Sequence, residues 1–241
     1  MRRHSIPGDK HLPGGISILF EDADLLVVDK PAGMLSVPTP RESGISALVV
    51  LEDYIRKGQA KSRKELYAVN RLDKFTSGVL LFAKSEMMRE RMHVDWAEAT
   101  HKTYVAVVKG HMKEPSGRVT SYLAEDAKLV VHSTTDTTRG KLAITEWRVL
   151  RETHMFSLLE INLLTGRKNQ IRVHMTDIGH PIVGDRKYDG SDNGGARLAL
   201  HAWKISFRHP RNSQPMELIS PIPPEIGRLV GLGAEELPKQ P

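Results

Sequence analysis

The sequence predicts an α/β fold of the α+β kind: a single mixed, mostly antiparallel sheet domain with flanking helices. Three observations carry this expectation. Short apolar runs of strand length recur along the chain, bounded by Gly, Pro and acidic turn residues. Only three segments show helical spacing of apolar positions. The 241 residues, 39% hydrophobic and 27% charged, also suffice to bury a substantial core without repeats or low-complexity tracts.

Taken in order, residues 1–15 are rich in Gly, Pro and charge and read as a flexible basic lead. Ile18–Val28 predicts a β-hairpin turning at Glu21–Asp24 and closed by Lys30-Pro31-Ala32-Gly33. Ser46–Lys57 places Leu48, Leu51 and Ile55 at helical spacing, with Gly58 as its stop. Tyr67–Val69 reads as a strand entering a loop, Asn70–Ser77, and Gly78–Ala83 as a buried strand leaving it. Ser85 suits the N-cap of a helix running to about Ala99, whose first turns carry Glu86 and Glu90. Strands are then expected at Lys102–Lys109, Gly117–Tyr122, Leu129–Val131, Ala143–Leu150 and Phe156–Leu164. A helix over Asn169–Ile178 stops at Gly179, and Leu198–Phe207 and Met216–Ile219 return to strand before a Pro/Gly-rich tail.

Thirty-five Lys and Arg against 29 Asp and Glu leave a formal net charge of +6, which makes a polyanion a natural partner. The absence of cysteine excludes disulfides, thiolate nucleophiles and thiolate zinc sites, so any acid–base or covalent chemistry must use oxygen or nitrogen groups. No signal-peptide pattern and no apolar run of membrane-span length is present, so the cytoplasm is the expected address.

Two stretches are dense in chemically capable residues. In the first, Arg71, Asp73, Lys74, Thr76 and Ser77 lie between two apolar strands, where rigid elements commonly hold reactive groups. A turn aspartate capping its own loop is the alternative there. In the second, Arg167, Lys168 and Arg172 sit near the start of a helix whose dipole is already positive, which calls for a phosphate or a carboxylate such as Asp73. A solvated basic face stands beside that reading. Arg56, Lys57, Lys61, Arg63 and Lys64 offer further positive charge for tracking phosphates. His174 and His180, with Asp177 and Asp185 nearby, lack a compact ligand spacing, and structural hydrogen bonding is favoured over metal binding. Trp96, Trp147 and Trp203 are expected to serve the core.

Four stretches together resemble the RluA-type pseudouridine synthase family: EDADLLVVDKPAGMLSVP at 21–38, NRLDKFTSGVLLFAKS at 70–85, KTYVAVVKG at 102–110 and LLTGRKNQIRVHMTDIGHPIVGDRKY at 163–188. They occur in the family's order, and LALHAWKISFRHP at 198–210 is similar to a family segment that follows them. The resemblance implies a sheet domain of the pseudouridine synthase type over residues 16–221, a tail over 222–241, and isomerisation of a uridine in structured rRNA or tRNA. It implies Asp73 as the catalytic aspartate, Tyr104 against the target uracil as a candidate proton-abstracting group, and Arg172 as the basic residue paired with the aspartate. Arg71 would help hold the flipped base, and Lys74, Thr76, Arg167 and Lys168 would contact RNA. Asn70 and Asn169 stand where the family usually has His.

That reaction asks for an ionised carboxylate and no metal, cofactor or small-molecule cosubstrate. A neighbouring guanidinium lowers a carboxylate pKa by roughly 1–3 units, which suits Arg172 as a partner. The partner expected is an RNA stem-loop whose uridine is extruded from the stack, with the protein acting as a monomer. The short lead resembles family members without an N-terminal S4 domain, some of which modify both tRNA and large-subunit rRNA. Two rivals remain: an RNA-binding assembly chaperone that uses the basic surface without turnover, and an aspartate-dependent hydrolase, which lacks a well-placed second carboxylate.

Overall fold

The structure, a computed structural model, describes residues 11–40, 42, 44–57, 59, 61–94, 96–190 and 196–233. In chain order the elements are β1 (His11–Leu12), β2 (Ile16–Glu21), β3 (Leu25–Lys30), α1 (Ala47–Arg56), β4 (Tyr67–Ala68), β5 (Ser77–Ala83), α2 (Glu86–Val94), α3 (Trp96–Ala99), β6 (His101–Lys109), β7 (Ser116–Glu125), β8 (Val131–Thr134), β9 (Lys141–Glu152), β10 (Phe156–Leu163), α4 (Gln170–Asp177), β11 (Leu200–Arg208), β12 (Pro215–Ile219) and α5 (Pro224–Arg228). The pairs β1–β2, β2–β3, β3–β5, β4–β5, β6–β10, β9–β10, β7–β9, β7–β8 and β11–β12 are antiparallel, as expected for an α+β sheet. No helix among the described residues is long and apolar enough to cross a membrane.

The described residues pack as two compact units. The first runs to Thr100 and takes up Lys204–Ser220; the second comprises His101–Trp203 and the described residues from Pro221 onward. β11 begins in the second unit and ends in the first.

In the first unit β1, β2, β3 and β5 pair in that order, β4 pairs with β5, and the last five residues of β11 pair with β12. The hairpin of β2 and β3 turns at Asp22, whose Oδ1 accepts from the backbone N–H groups of Asp24 and Leu25. All seven residues of β5 are buried, which explains why GVLLFA reads as a continuous apolar run rather than an alternating one. Its alternate residues Val79, Leu81 and Ala83 join Phe20, Leu25, Val27, Met88, Met92, Ile205 and Phe207 in one core cluster.

The helix α1 starts where Ser46, in extended conformation, accepts a hydrogen bond from Val49 N on its side chain. Ala47, Leu51 and Ile55 form its buried stripe, and Lys57 ends it in a left-handed conformation. The expected stop, Gly58, lies outside the described residues. The helix expected from Ser85 to Ala99 takes the form of α2 and α3, with the Ser85 hydroxyl accepting from Met88 N.

In the second unit β6, β10, β9, β7 and β8 pair in that order, with the non-consecutive neighbours β6–β10 and β9–β7. Leu123, Val131, Ala143 and Val173 form a small core under α4. One expectation needs correction: the strand read at Leu129–Val131 begins only at Val131, because Leu129 adopts φ 62° in a turn. Asp126 Oδ1 builds that turn by accepting from Lys128 N and Val130 N, a local preference that overrides the β-propensity of the residues. The segment read as a tail carries α5, which buries Ile226, with Val230 buried just beyond it.

Candidate active site

In the first unit the loop between β4 and β5 carries Asp73, and the end of β3 with the residues after it holds that loop in shape. Lys30 is fully buried, and its ammonium donates to the carbonyls of Pro31 (2.9 Å), Met34 (2.9 Å) and Lys74 (3.3 Å). Gly33, at φ 88°, donates its backbone N–H to the same Lys74 carbonyl at 2.8 Å. The buried Ser36 hydroxyl donates to Leu72 O (2.8 Å) and accepts from Leu72 N (2.9 Å). Both backbone groups of the residue before Asp73 are therefore satisfied by one side chain.

Asn70 ties the loop to β5. Its Nδ2 donates to Val79 O at 3.4 Å and its Oδ1 accepts from Leu81 N at 2.8 Å. Within the loop, Thr76 N donates to Asp73 O at 3.1 Å, while the Thr76 side chain belongs to a residue only 2% exposed. Thr76 thus contributes to loop shape. Arg71 is exposed, Asp73 and Lys74 are half-buried, and Lys74 Nζ stands 3.9 Å from Glu42.

In the second unit Tyr104 sits in the buried stretch of β6, opposite Ile161 of β10. Lys102, two residues earlier, shares its face of the strand, and burial pushes the lysine's pKa down. Thr103 points the other way and donates to Asn162 Oδ1.

Arg172 lies on the first turns of α4 and makes a bidentate pair with Asp185. Nε meets Oδ2 and Nη2 meets Oδ1, each at 2.7 Å, with side-chain exposures of 10% and 1%. Nη1 donates to Asn169 Oδ1 at 3.1 Å, and the guanidinium carbon lies 5.0 Å from the Tyr188 ring centre. Asn169 adopts φ 55°, a left-handed conformation that asparagine tolerates, and its Nδ2 donates to the Tyr188 hydroxyl. Burial raises the Tyr188 pKa, with the Asn169 hydrogen bond opposing it. Asp185 Oδ1 also accepts from Lys187 N and Tyr188 N, so the GDRKY segment folds around its own carboxylate.

The sequence predicts that the cations at the start of this helix need anions, and the second unit supplies them. Asp185 takes Arg172, and Glu125 takes Lys168 Nζ at 2.5 Å. Arg167 donates to Leu142 O. His174 is fully buried between Thr145 Oγ1 (2.8 Å) and Ser121 Oγ (3.0 Å), and burial lowers its pKa. His180 pairs through Nδ1 with Lys109 O, so both histidines have the structural bonding expected of them.

Sequence reasoning did not single out Lys30, Ser36 or Lys102 and did not assign Asp185 to Arg172. The signal for Asp185 was its place directly after a turn glycine, Gly184, and just before the cations Arg186 and Lys187. Among the described residues, Asp22, Asp24 and His209 are the group that brings three possible metal ligands together. They are already engaged by protein groups: His209 Nε2 meets Asp22 Oδ2 at 2.8 Å, and Arg211 holds Asp24 and lowers its pKa through that hydrogen bond.

The sequence model of the RNA pseudouridylate synthase family matches residues 24–177. A Bacillus subtilis protein described as an uncharacterized RNA pseudouridine synthase, YlyB, is 36% identical over 232 residues, covering 90% of this chain and 73% of that one. A Vibrio cholerae protein, the dual-specificity RNA pseudouridine synthase RluA, is 34% identical over 201 residues, covering 82% of this chain and 79% of that one. Human RNA pseudouridylate synthase domain containing 4 has the same fold, with a TM-score of 0.72 at 22% identity over 88% of this chain and 92% of that one. The family's pattern thus runs through the segments that carry Asp73, Tyr104 and Arg172, and the chain belongs to the RluA-type RNA pseudouridine synthases, isomerases that act on RNA.

Proposed function

We propose that the substrate is a uridine in structured rRNA or tRNA, and that Asp73 is the residue without which no isomerisation occurs. The carrying observation is the clamp on the Asp73 loop: a buried ammonium, a serine hydroxyl and a glycine N–H all bind the backbone on either side of one carboxylate. Such convergence on a loop is what positioning a reactive group requires.

In the reaction the N1–C1′ bond breaks, the uracil turns, and a C5–C1′ bond forms. The C5 proton leaves to solvent and N1 regains one, so neither oxidant nor reductant is consumed. Asp73 enters ionised, whether it attacks covalently or assists removal of the ribose C2′ proton. Tyr104 contributes a flat face for the uracil and a phenol for the proton leaving C5. Arg172, oriented by Asp185 and Asn169, supplies fixed positive charge for the aspartate. The uridine must leave its stack, at a cost of a few kcal/mol that a hairpin loop reduces. Arg71 assists that extrusion, and Lys74, Arg167 and Lys168 add positive charge for phosphates. The protein works as a cytoplasmic monomer, and the dual-specificity naming of the Vibrio cholerae relative supports assaying both RNA classes.

The test uses RNA tritiated at uracil C5, offered as rRNA and as tRNA transcripts. Wild type should release label, and Asp73→Asn should release none while keeping its RNA affinity. Turnover by the Asn variant would overturn the assignment, and RNA-independent turnover would revive a hydrolase.

A further inference from the structure

Nine large hydrophobic side chains among the described residues are well exposed, and Phe75 is the aromatic one. It is 54% exposed and lies two residues after Asp73. A single exposed hydrophobic residue is ordinary on a protein surface. The backbone on either side of this one is pinned, however. The preceding carbonyl, that of Lys74, accepts from both Lys30 Nζ and Gly33 N, and the following residue, Thr76, closes its N–H onto Asp73 O. The ring is therefore presented by a fixed loop crest. Lys74 Nζ lies over it, 5.8 Å from the ring centre, and Arg71 on the same loop is exposed.

An aromatic face flanked by cations fits a nucleic-acid base with its phosphates, and unpaired bases are the ones whose faces are available for stacking. We propose that Phe75 is a stacking platform for an unpaired base of the substrate RNA beside the target uridine. The inference rests on the function proposed above and deepens it. The loop that carries the reacting carboxylate also carries a sequence-tolerant reader of single-stranded RNA. Flanking cations supply the salt-dependent part of binding, and the ring supplies a part that salt does not screen.

The experiment compares wild type with Phe75→Ala, Phe75→Leu and Phe75→Trp. The probes are an RNA hairpin with a uridine-rich loop and a fully paired duplex of the same length. Alanine should weaken hairpin binding by roughly 5–100-fold, the usual effect of removing one stacking aromatic, with an unchanged slope of affinity against salt. Leucine should fail to restore affinity. Tryptophan should restore it, and hairpin RNA should quench its added emission more than duplex does. Wild-type hairpin affinity in the alanine or leucine variant would overturn the inference, as would equal quenching by duplex. The proposed function fails separately: wild type that binds the hairpin through Phe75 but releases no tritium from any RNA would refute the function and leave the stacking role standing.

Discussion

The Arg172–Asp185 pair invites a quantitative test through Asp185→Asn. The aspartate is 1% exposed, and its two oxygens meet Nε and Nη2 at 2.7 Å. Asparagine retains an oxygen for Nη2, Lys187 N and Tyr188 N, the three donors that Oδ1 serves. Its amide nitrogen then faces Arg172 Nε, and the guanidinium loses the buried carboxylate that Nε and Nη2 hold. Breaking a buried pair from one side costs about 3–5 kcal/mol, and the retained oxygen reduces this to about 2–3 kcal/mol. With a urea slope of about 2 kcal/mol per molar, the unfolding midpoint should fall by about 1–1.5 M. If Arg172 acts in the reaction, its displacement should also lower kcat by up to about 100-fold. Urea titration followed by circular dichroism, with tritium release on the same samples, measures both. An unchanged midpoint together with wild-type turnover would refute the reasoning.

Other sites lend themselves to similar tests. Ser36→Ala strands the N–H and carbonyl of Leu72, so stability should fall by about 2–3 kcal/mol, and kcat should fall more than RNA affinity. Gly184→Ala should give mostly insoluble protein or a large drop in Tm, because its Cβ would lie 2.0 Å from Arg197 O at a φ of 80°. His174 should make the wild type acid-sensitive. Above its ordinary pKa of 6.5 the imidazole is neutral in both states, whereas below it the unfolded chain takes up a proton that burial denies the folded one. Stability should therefore decline as pH drops from 6.5, and Tm measured against pH should show a shallower decline for His174→Gln.

What the sequence made legible was local or carried by the motifs. The β2–β3 hairpin, α1 and the buried run of β5 follow from periodicity and turn chemistry within single stretches. The clamp on the Asp73 loop does not, since Lys30 reaches Lys74 across 44 positions and Ser36 reaches Leu72 across 36. Lys30 and Ser36 are ordinary surface residue types by composition, and only tertiary packing makes them buried donors. Asp185 escaped assignment for a related reason. The chain turns at Gly184 and brings Asp185 to the Arg172 guanidinium, a pairing across 13 positions that no local spacing announces. Leu129 misled because side-chain propensity was weighed without Asp126, whose carboxylate shapes the backbone around it.

The discontinuity of the first unit bears on how the protein is born. Ile205 and Phe207 belong to the same core cluster as Val79 and Leu81, with Met216 and Leu218 packed against it. A nascent chain that has reached Thr100 therefore carries the Asp73 loop and its clamp over an unfinished core. At about 5–20 residues per second, the missing strands follow roughly 5–20 s later. Through that interval the apolar faces of β3 and β5 need shielding, by the ribosome surface or a holding chaperone. Truncation before Lys204 should yield aggregating protein, even though every residue assigned to catalysis has already been made.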